Sequence, residues 1–123
     1  MRIGDLAHES GVSRRLLRYY EEQGLLRPAR RENGYREYSD ADVTTVRHIR
    51  TMLDAGFSTV VIARLVHCVR DSEELQAPAD CQTFSQEVQR ERTKITMAIA
   101  QLQGSRRLLD AMSGAAPQEA DDA

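Results

Sequence analysis

The chain has 123 residues, 41% apolar and 29% charged, which suits one domain, or one small domain with an extension used for assembly. Aromatic residues make up only 5% and tryptophan is absent, which argues against a large aromatic-lined pocket, and two cysteines are too few for a disulfide scaffold. The formal charge of −2 argues weakly against nucleic acid as a partner of the whole chain, yet residues 1–70 carry a net +3 and residues 71–123 a net −5. Residues 13–36 alone hold seven arginines against three glutamates, and Lys94 is the one lysine of the chain. Arginine suits bidentate contacts to phosphate and guanine. The division is that of a basic nucleic-acid-reading head with an acidic tail. The longest apolar runs are four residues, as in Val60-Val61-Ile62-Ala63, so no segment is expected to span a membrane. The start, Met1-Arg2-Ile3-Gly4-Asp5, lacks the apolar stretch of a signal peptide, and the expected compartment is the cytoplasm.

Ile3, Leu6 and Ala7 follow helical spacing and predict a short helix over about residues 4–10. Gly11 ends it, because glycine takes the left-handed position after a helix without Cβ strain. Ser13 is an N-cap for a second helix over about 14–23, with Leu16, Leu17 and Tyr20 inward and Arg14, Arg15 and Arg18 outward. Gly24 closes it, and the pair forms a helix-turn-helix. Asn33-Gly34 lies between short flanks and predicts a two-stranded wing within residues 25–38. Ser39 with Asp42 forms a capping box for a helix over about 40–55, whose stripe is Val43, Val46, Ile49, Arg50 and Leu53. Gly56 stops that helix. Ser58 caps another over about 59–69, with Val61, Ile62, Leu65 and Val66 inward. Residues 71–80 read as a linker.

The last long segment, about 81–112, has apolar spacing alternating four and three. One set of seam positions is Val88, Ile95, Leu102 and Leu109; the other is Phe84, Glu91, Ala98, Ser105 and Met112. Four such heptads predict a coiled-coil helix on the order of 45 Å long. A helix of that length cannot bury its stripe against a small domain, so a second copy of the chain is the expected partner. The dimer seam then comprises Val88, Ile95, Ala98, Leu102 and Leu109. Residues 113–123 are small and acidic and read as a disordered tail.

A helix-turn-helix also occurs as plain packing. Here an arginine-rich outer face, an arginine-bearing hairpin and a dimerising helix accompany it, and a dimer supplies the two-fold symmetry that a palindromic site needs. The fold class expected is mainly α, a winged helix-turn-helix head followed by a long coiled-coil helix. The segments Ile3-Gly4-Asp5-Leu6-Ala7, Gly11-Val12-Ser13, Leu17-Arg18-Tyr19-Tyr20-Glu21, Gly24-Leu25-Leu26, Asn33-Gly34-Tyr35-Arg36-Glu37-Tyr38 and Ala55-Gly56-Phe57-Ser58 resemble the MerR family of transcription regulators. The resemblance covers about residues 1–70, and the long helix extends it to about 112. It implies a DNA-binding head over 1–70 and an antiparallel coiled coil over 81–112. It also implies a homodimer on promoter DNA, distortion of that DNA switched by an effector, and RNA polymerase as a further partner there. By the same resemblance Arg14, Arg15 and Arg18 lie along the major groove, and Ser13 counts among the DNA-binding residues. Tyr19 and Tyr20 are divided between backbone contact and core. Arg31, Tyr35 and Arg36 hold phosphates from the wing, where Asn33 and Gly34 also count among the DNA-binding residues, with core packing an equal alternative for Tyr35 and Tyr38. Arg47 and Arg50 are either backbone contacts or a solvated face.

Cys81, at the start of the long helix, resembles the first cysteine ligand of the metal-sensing members. Their further thiols follow the long helix, where this chain has Asp110-Ala111-Met112-Ser113-Gly114-Ala115-Ala116. A metal site would need Cys68 as a substitute, so no metal or cofactor is expected. His8, His48 and His67 read as surface or packing residues. Cys68 and Cys81 are thirteen apart across a turn and are sensor candidates. Three readings stay open for them: small buried apolar residues, a redox or electrophile switch, or metal ligands. The helix start favours a thiolate at Cys81, and Asp80 opposes it. No P-loop, nucleophile elbow or HExxH pattern occurs, so an enzyme is not expected. The alternative to a DNA-binding regulator is a coiled-coil assembly module that has lost DNA binding.

Overall fold

The computed structural model describes residues 1–30, 34–69, 75 and 81–114. Five helices and one hairpin follow in order: α1 Ile3–Ser10, α2 Arg14–Glu22, β1 Ala29–Arg30, β2 Arg36–Glu37, α3 Asp40–Asp54, α4 Thr59–Val69 and α5 Gln82–Ser113. The chain divides into two compact units, Met1–Glu87 and Val88–Ala123.

In the first unit, local hydrogen bonds set the starts of α1 to α4 and the end of α1. The Arg2 amide donates to Asp5 Oδ2 at 2.9 Å and starts α1. Gly11, at φ 72°, donates its amide to the Ala7 carbonyl and ends it. Ser13 Oγ accepts from the Leu16 amide at 3.2 Å and starts α2. The three-residue turn between these helices buries Val12. Leu6, Leu17, Tyr20, Val46 and Ile49 close the core where α1 packs on α2 and α3. Leu16 departs from its expected inward place and is 47% exposed. Leu17 and Tyr20 lie three apart and take the core face, and at about 100° per residue Leu16 falls to one side of it.

The wing is a two-stranded antiparallel hairpin with Ala29 opposite Glu37 and Arg30 opposite Arg36. The Asn33-Gly34 turn expected at its tip falls partly outside the described residues. Arg31 and Asn33 lie outside the described residues. Gly34 has φ 84°, a value that side chains resist. Beyond β2, the Tyr38 amide donates to the Met1 carbonyl at 2.8 Å, and the Met1 ammonium donates to the Tyr38 carbonyl at 2.7 Å. This pairing holds Arg2 beside the wing.

The Ser39 amide donates to Asp42 Oδ2 at 2.9 Å, completing the carboxylate half of the expected capping box of α3. Val43, Val46, Ile49 and Met52 of α3 are buried, together with Thr45, whose hydroxyl donates to the Ala41 carbonyl. Arg50, placed in the stripe by spacing, is exposed instead; Met52, three residues after Ile49, takes the core position. Ser58 Oγ accepts from the Val61 amide at 3.3 Å and starts α4. Ile62, Leu65, Val66 and Val69 of α4 are buried, with Val61 half-buried. The start of α5 belongs to this unit, and Glu87 there lies 3.8 Å from the Arg64 guanidinium of α4.

The second unit is the remainder of α5. Ile95, Leu102, Leu109 and Met112 are exposed in the single chain, Leu102 by 69%. Met97, Ile99 and Leu108, outside the two seam sets, are exposed as well. Of the expected linker only Leu75 is among the described residues, and the expected tail beyond Gly114 lies outside them. No helix among the described residues is long and apolar enough to cross a membrane.

Candidate nucleic-acid interface

The cap at Ser13 orients α2 so that Arg14, Arg15, Arg18 and Tyr19 are exposed together. The two tyrosines part company here. Tyr19 is 44% exposed, and Tyr20, 3% exposed, belongs to the core. Burial pushes the Tyr20 hydroxyl pKa above the ordinary tyrosine value; the Arg50 charge works against that rise and Asp54 adds to it. Arg14 folds back over α1. A Cβ on Gly4 would stand 2.6 Å from Arg14 Nη2, so the absent side chain at Gly4 makes room for this guanidinium.

Arg18 borders two adjacent hollows. One is lined by Arg2, Ile3, Gly34, Tyr35, Arg36 and Tyr38 as well, and the other by Glu21, Arg27 and Arg36 among its residues. The Arg2 guanidinium sits over the Tyr35 ring, 5.6 Å from its centroid, a cation–π arrangement. Tyr35 itself is 63% exposed, whereas Tyr38 is buried under the wing.

Glu21 organises this corner. It accepts a hydrogen bond from the Tyr38 hydroxyl, and its other oxygen lies 3.1 Å from Arg36 Nε. One carboxylate therefore ties α2 to the wing at two points. Burial, and then the hydrogen bond to Glu21, push the Tyr38 pKa far above the ordinary tyrosine value. Arg36 uses Nε for this pair and keeps its Nη donors for another acceptor. Arg2, Arg18 and Arg36 thus line one concavity, a set of donors matched to phosphate oxygens. The exposed Arg14 and Arg15 stand at the first turn of α2, the position from which a recognition helix reads base edges. Arg47 and Arg50 are exposed on α3.

Three members of this corner do not emerge from sequence reasoning. Arg2 has no periodic signal, since its place depends on the Met1–Tyr38 pairing. Gly4 reads only as part of a motif. Glu21 did carry a signal: four residues after Leu17 and beside Tyr20, it is an acid on the core side of its helix, where a partner is required.

At the other end of the first unit, Cys68 near the end of α4 and Cys81 just before α5 form a disulfide, their Cα atoms 6.4 Å apart. Sequence reasoning brought these two together. It did not bring in His67, whose Nε2 lies 3.3 Å from Cys68 Sγ.

Residues 1–67 match the family described as MerR HTH family regulatory protein. The chain is 47% identical over 72 residues to the heavy metal-dependent transcription regulator 2 of Rhizobium meliloti (strain 1021), covering 58% of this chain and 49% of that protein. It thus spans about half the length of that relative. It is 34% identical over 110 residues to the HTH-type transcriptional regulator HmrR of Rhizobium leguminosarum bv. viciae, covering 89% of this chain and 81% of that one. In fold it is similar to HiNmlR, described as a MerR family regulator lacking the sensor domain, bound to promoter DNA: TM-score 0.57, 22% identity, 92% of this chain and 86% of that chain covered. On the match over its first 67 residues and the similarity to HmrR across most of its length, the chain belongs to the MerR HTH family of regulatory proteins.

Proposed function

We propose that this protein is a transcription regulator that binds a near-palindromic promoter site as a homodimer and distorts the DNA when an effector acts. It is a regulator and not an enzyme, and it works in the cytoplasm beside RNA polymerase. The observation that carries this reading is the exposed arginine face of α2 continuing into the Arg2, Arg18 and Arg36 concavity at the wing. Such a face joins base-reading side chains to phosphate-holding ones. The same face favours DNA binding over a pure assembly module.

In this reading residues 1–70 are the DNA-binding head and 81–112 the antiparallel dimer helix. Arg14, Arg15 and Arg18 lie along the major groove, Ser13 joins them at the start of α2, and Tyr19 contacts the DNA backbone. Arg31, Asn33, Gly34, Tyr35 and Arg36 hold the backbone, and Arg2 joins them. The exposed Ile95, Ala98, Leu102 and Leu109, with the half-buried Val88, form the seam. The Cys68–Cys81 link is where the effector acts, because it ties the end of α4 to the start of α5.

Selection of bound duplexes from a random pool, using the full chain, tests the reading. A near-palindromic site should be enriched, and circular-permutation mobility shifts should show it bent. Arg18→Ala should cut affinity for that site, and Arg36→Ala should weaken binding to any sequence. Removing the side chain that neutralises one phosphate should lower the dependence of log affinity on log salt by roughly 0.9. No enriched site, or an unchanged salt dependence in Arg36→Ala, would reject the reading of the face or of the wing respectively.

A further inference from the structure

We propose that the reduced form of this protein binds a thiophilic divalent cation of the Zn²⁺ or Cd²⁺ type through His67 Nε2, Cys68 Sγ and Cys81 Sγ. The three donor atoms all lie within 4.8 Å of one another, and His67 Nε2 stands 3.3 Å from Cys68 Sγ. Among the described residues this is the one group of three such donors. Around a tetrahedral ion with metal–sulfur bonds near 2.3 Å, two thiolates sit roughly 3.7 Å apart. With Cα atoms 6.4 Å apart, the two cysteines reach that spacing by side-chain rotation once the disulfide opens. The imidazole is already close to it.

The donor set chooses the cation. Two thiolates and a neutral imidazole select soft or borderline metals and give poor sites for magnesium or calcium, which require oxygen ligands. Two thiolate charges neutralise a divalent ion, so no acidic residue is needed. His67 is exposed and both cysteines are half-buried, so the donors are within reach of a cation from solvent.

The chemistry balances with a phosphine as reductant. The phosphine takes an oxygen atom from water and becomes a phosphine oxide. The disulfide accepts the two electrons, and the two protons of that water complete the two thiols. Cation binding then releases both thiol protons to solvent and forms the two metal–sulfur bonds. Disulfide and cation exclude each other, since both use the same two sulfurs. Each of them ties the end of α4 to the start of α5, and the reduced, metal-free form has neither link.

This inference deepens the reading of the cysteine link as the effector's place of action, and its test needs no DNA. Full-length protein, reduced with a trialkylphosphine and desalted without oxygen, is titrated with Cd²⁺ alone. The expected result is a sulfur-to-cadmium charge-transfer absorption that saturates at one ion per chain. It should be absent from the untreated disulfide form and lost in Cys81→Ser. His67→Ala should keep the absorption and weaken binding by at least about tenfold. Cadmium NMR of the parent gives a second measure, a shift for two sulfurs and one nitrogen, that depends on no variant folding. Far-ultraviolet circular dichroism checks each variant without metal. No saturable absorption in the reduced parent, or parent-like affinity in His67→Ala, would overturn the site. A mobility shift of the reduced, metal-free protein on its selected duplex distinguishes failure of this site from failure of the DNA-binding reading.

Discussion

Removing the Glu21 carboxylate should loosen the wing from α2. Tyr38 is 2% exposed and donates its hydroxyl to Glu21, so Glu21→Ala leaves a buried donor without its acceptor. A hydrogen bond to a charged group contributes about 1.5–3 kcal/mol. The second contact, to Arg36 Nε, adds little, because the Arg36 side chain is 43% exposed and such pairs give at most about 1 kcal/mol. Glu21→Ala should therefore cost about 2–3 kcal/mol. Glu21→Gln keeps a carbonyl for Tyr38 and should cost about half as much. Urea unfolding at one fixed protein concentration reads both, with the slope unchanged and the midpoint lowered. Tyr38→Phe added to Glu21→Ala should cost less than the sum of the two single changes, since both remove one interaction. Stability of Glu21→Ala within about 0.5 kcal/mol of the parent, or strict additivity with Tyr38→Phe, would refute the role given to this carboxylate.

Leu102→Asp would put a charge at a seam position. Burying a leucine contributes about 1.5–3 kcal/mol, twice over in a symmetric pair, so the variant should sediment as a monomer at concentrations where the parent is a dimer; an unchanged dimer rejects the seam. Gly4→Ala should hold or raise the melting temperature while displacing the flexible Arg14 guanidinium, because its Cβ would stand 2.6 Å from Nη2. Affinity for the selected duplex should fall several-fold, and parent-like affinity would show that this placement of Arg14 is not used. Tyr20 and Tyr38 both titrate above the ordinary value of 10.0 in the folded chain. The folded state then holds more protons than the unfolded one above about pH 10, so their contribution is complete below that pH and is lost as pH rises beyond it. Urea midpoints followed to about pH 11 should fall, less steeply in Tyr38→Phe, and a flat profile in the parent would contradict this.

The helices were legible because their signals are local. Ser13, Ser39 and Ser58 each precede a helix at capping distance, and Gly11 follows one at the position that favours a left-handed backbone. The arginine face of α2 was legible for the same reason, since a helix fixes which residues share a side. What sequence reasoning missed depends on chain segments far apart. Arg2 reaches the wing only through the Met1–Tyr38 pairing, thirty-seven residues away in sequence. Glu21 meets Tyr38 and Arg36 across a turn and a hairpin. Leu16 and Arg50 show the limit of spacing alone. A leucine beside a buried leucine went to the surface, and an arginine within an apolar stripe went to solvent. His67 lacks a sequence signal altogether, because its neighbour Cys81 comes from the far side of the α4–α5 connection.

The Arg64–Glu87 pair and the Cys68–Cys81 disulfide both hold the start of α5 within the first unit, and their strengths differ. The Arg64–Glu87 pair has a 3.8 Å separation and an Arg64 side chain 48% exposed, so it contributes under about 1 kcal/mol. The Cys68–Cys81 disulfide closes a loop with a sequence separation of 13, worth about 3 kcal/mol in constraint on the open chain. The chemical state of the cysteines therefore outweighs this ion pair in holding the start of α5. Amide hydrogen exchange over residues 83–87 should rise by at least about tenfold when the disulfide is reduced without metal, and equally in Cys81→Ser. Arg64→Ala should change the same amides only slightly. Exchange insensitive to reduction would mean that the disulfide does not hold the start of α5, and the cysteine pair would lose its claim to be the place where a signal enters. Exchange that rises more in Arg64→Ala than on reduction would transfer that claim to the ion pair.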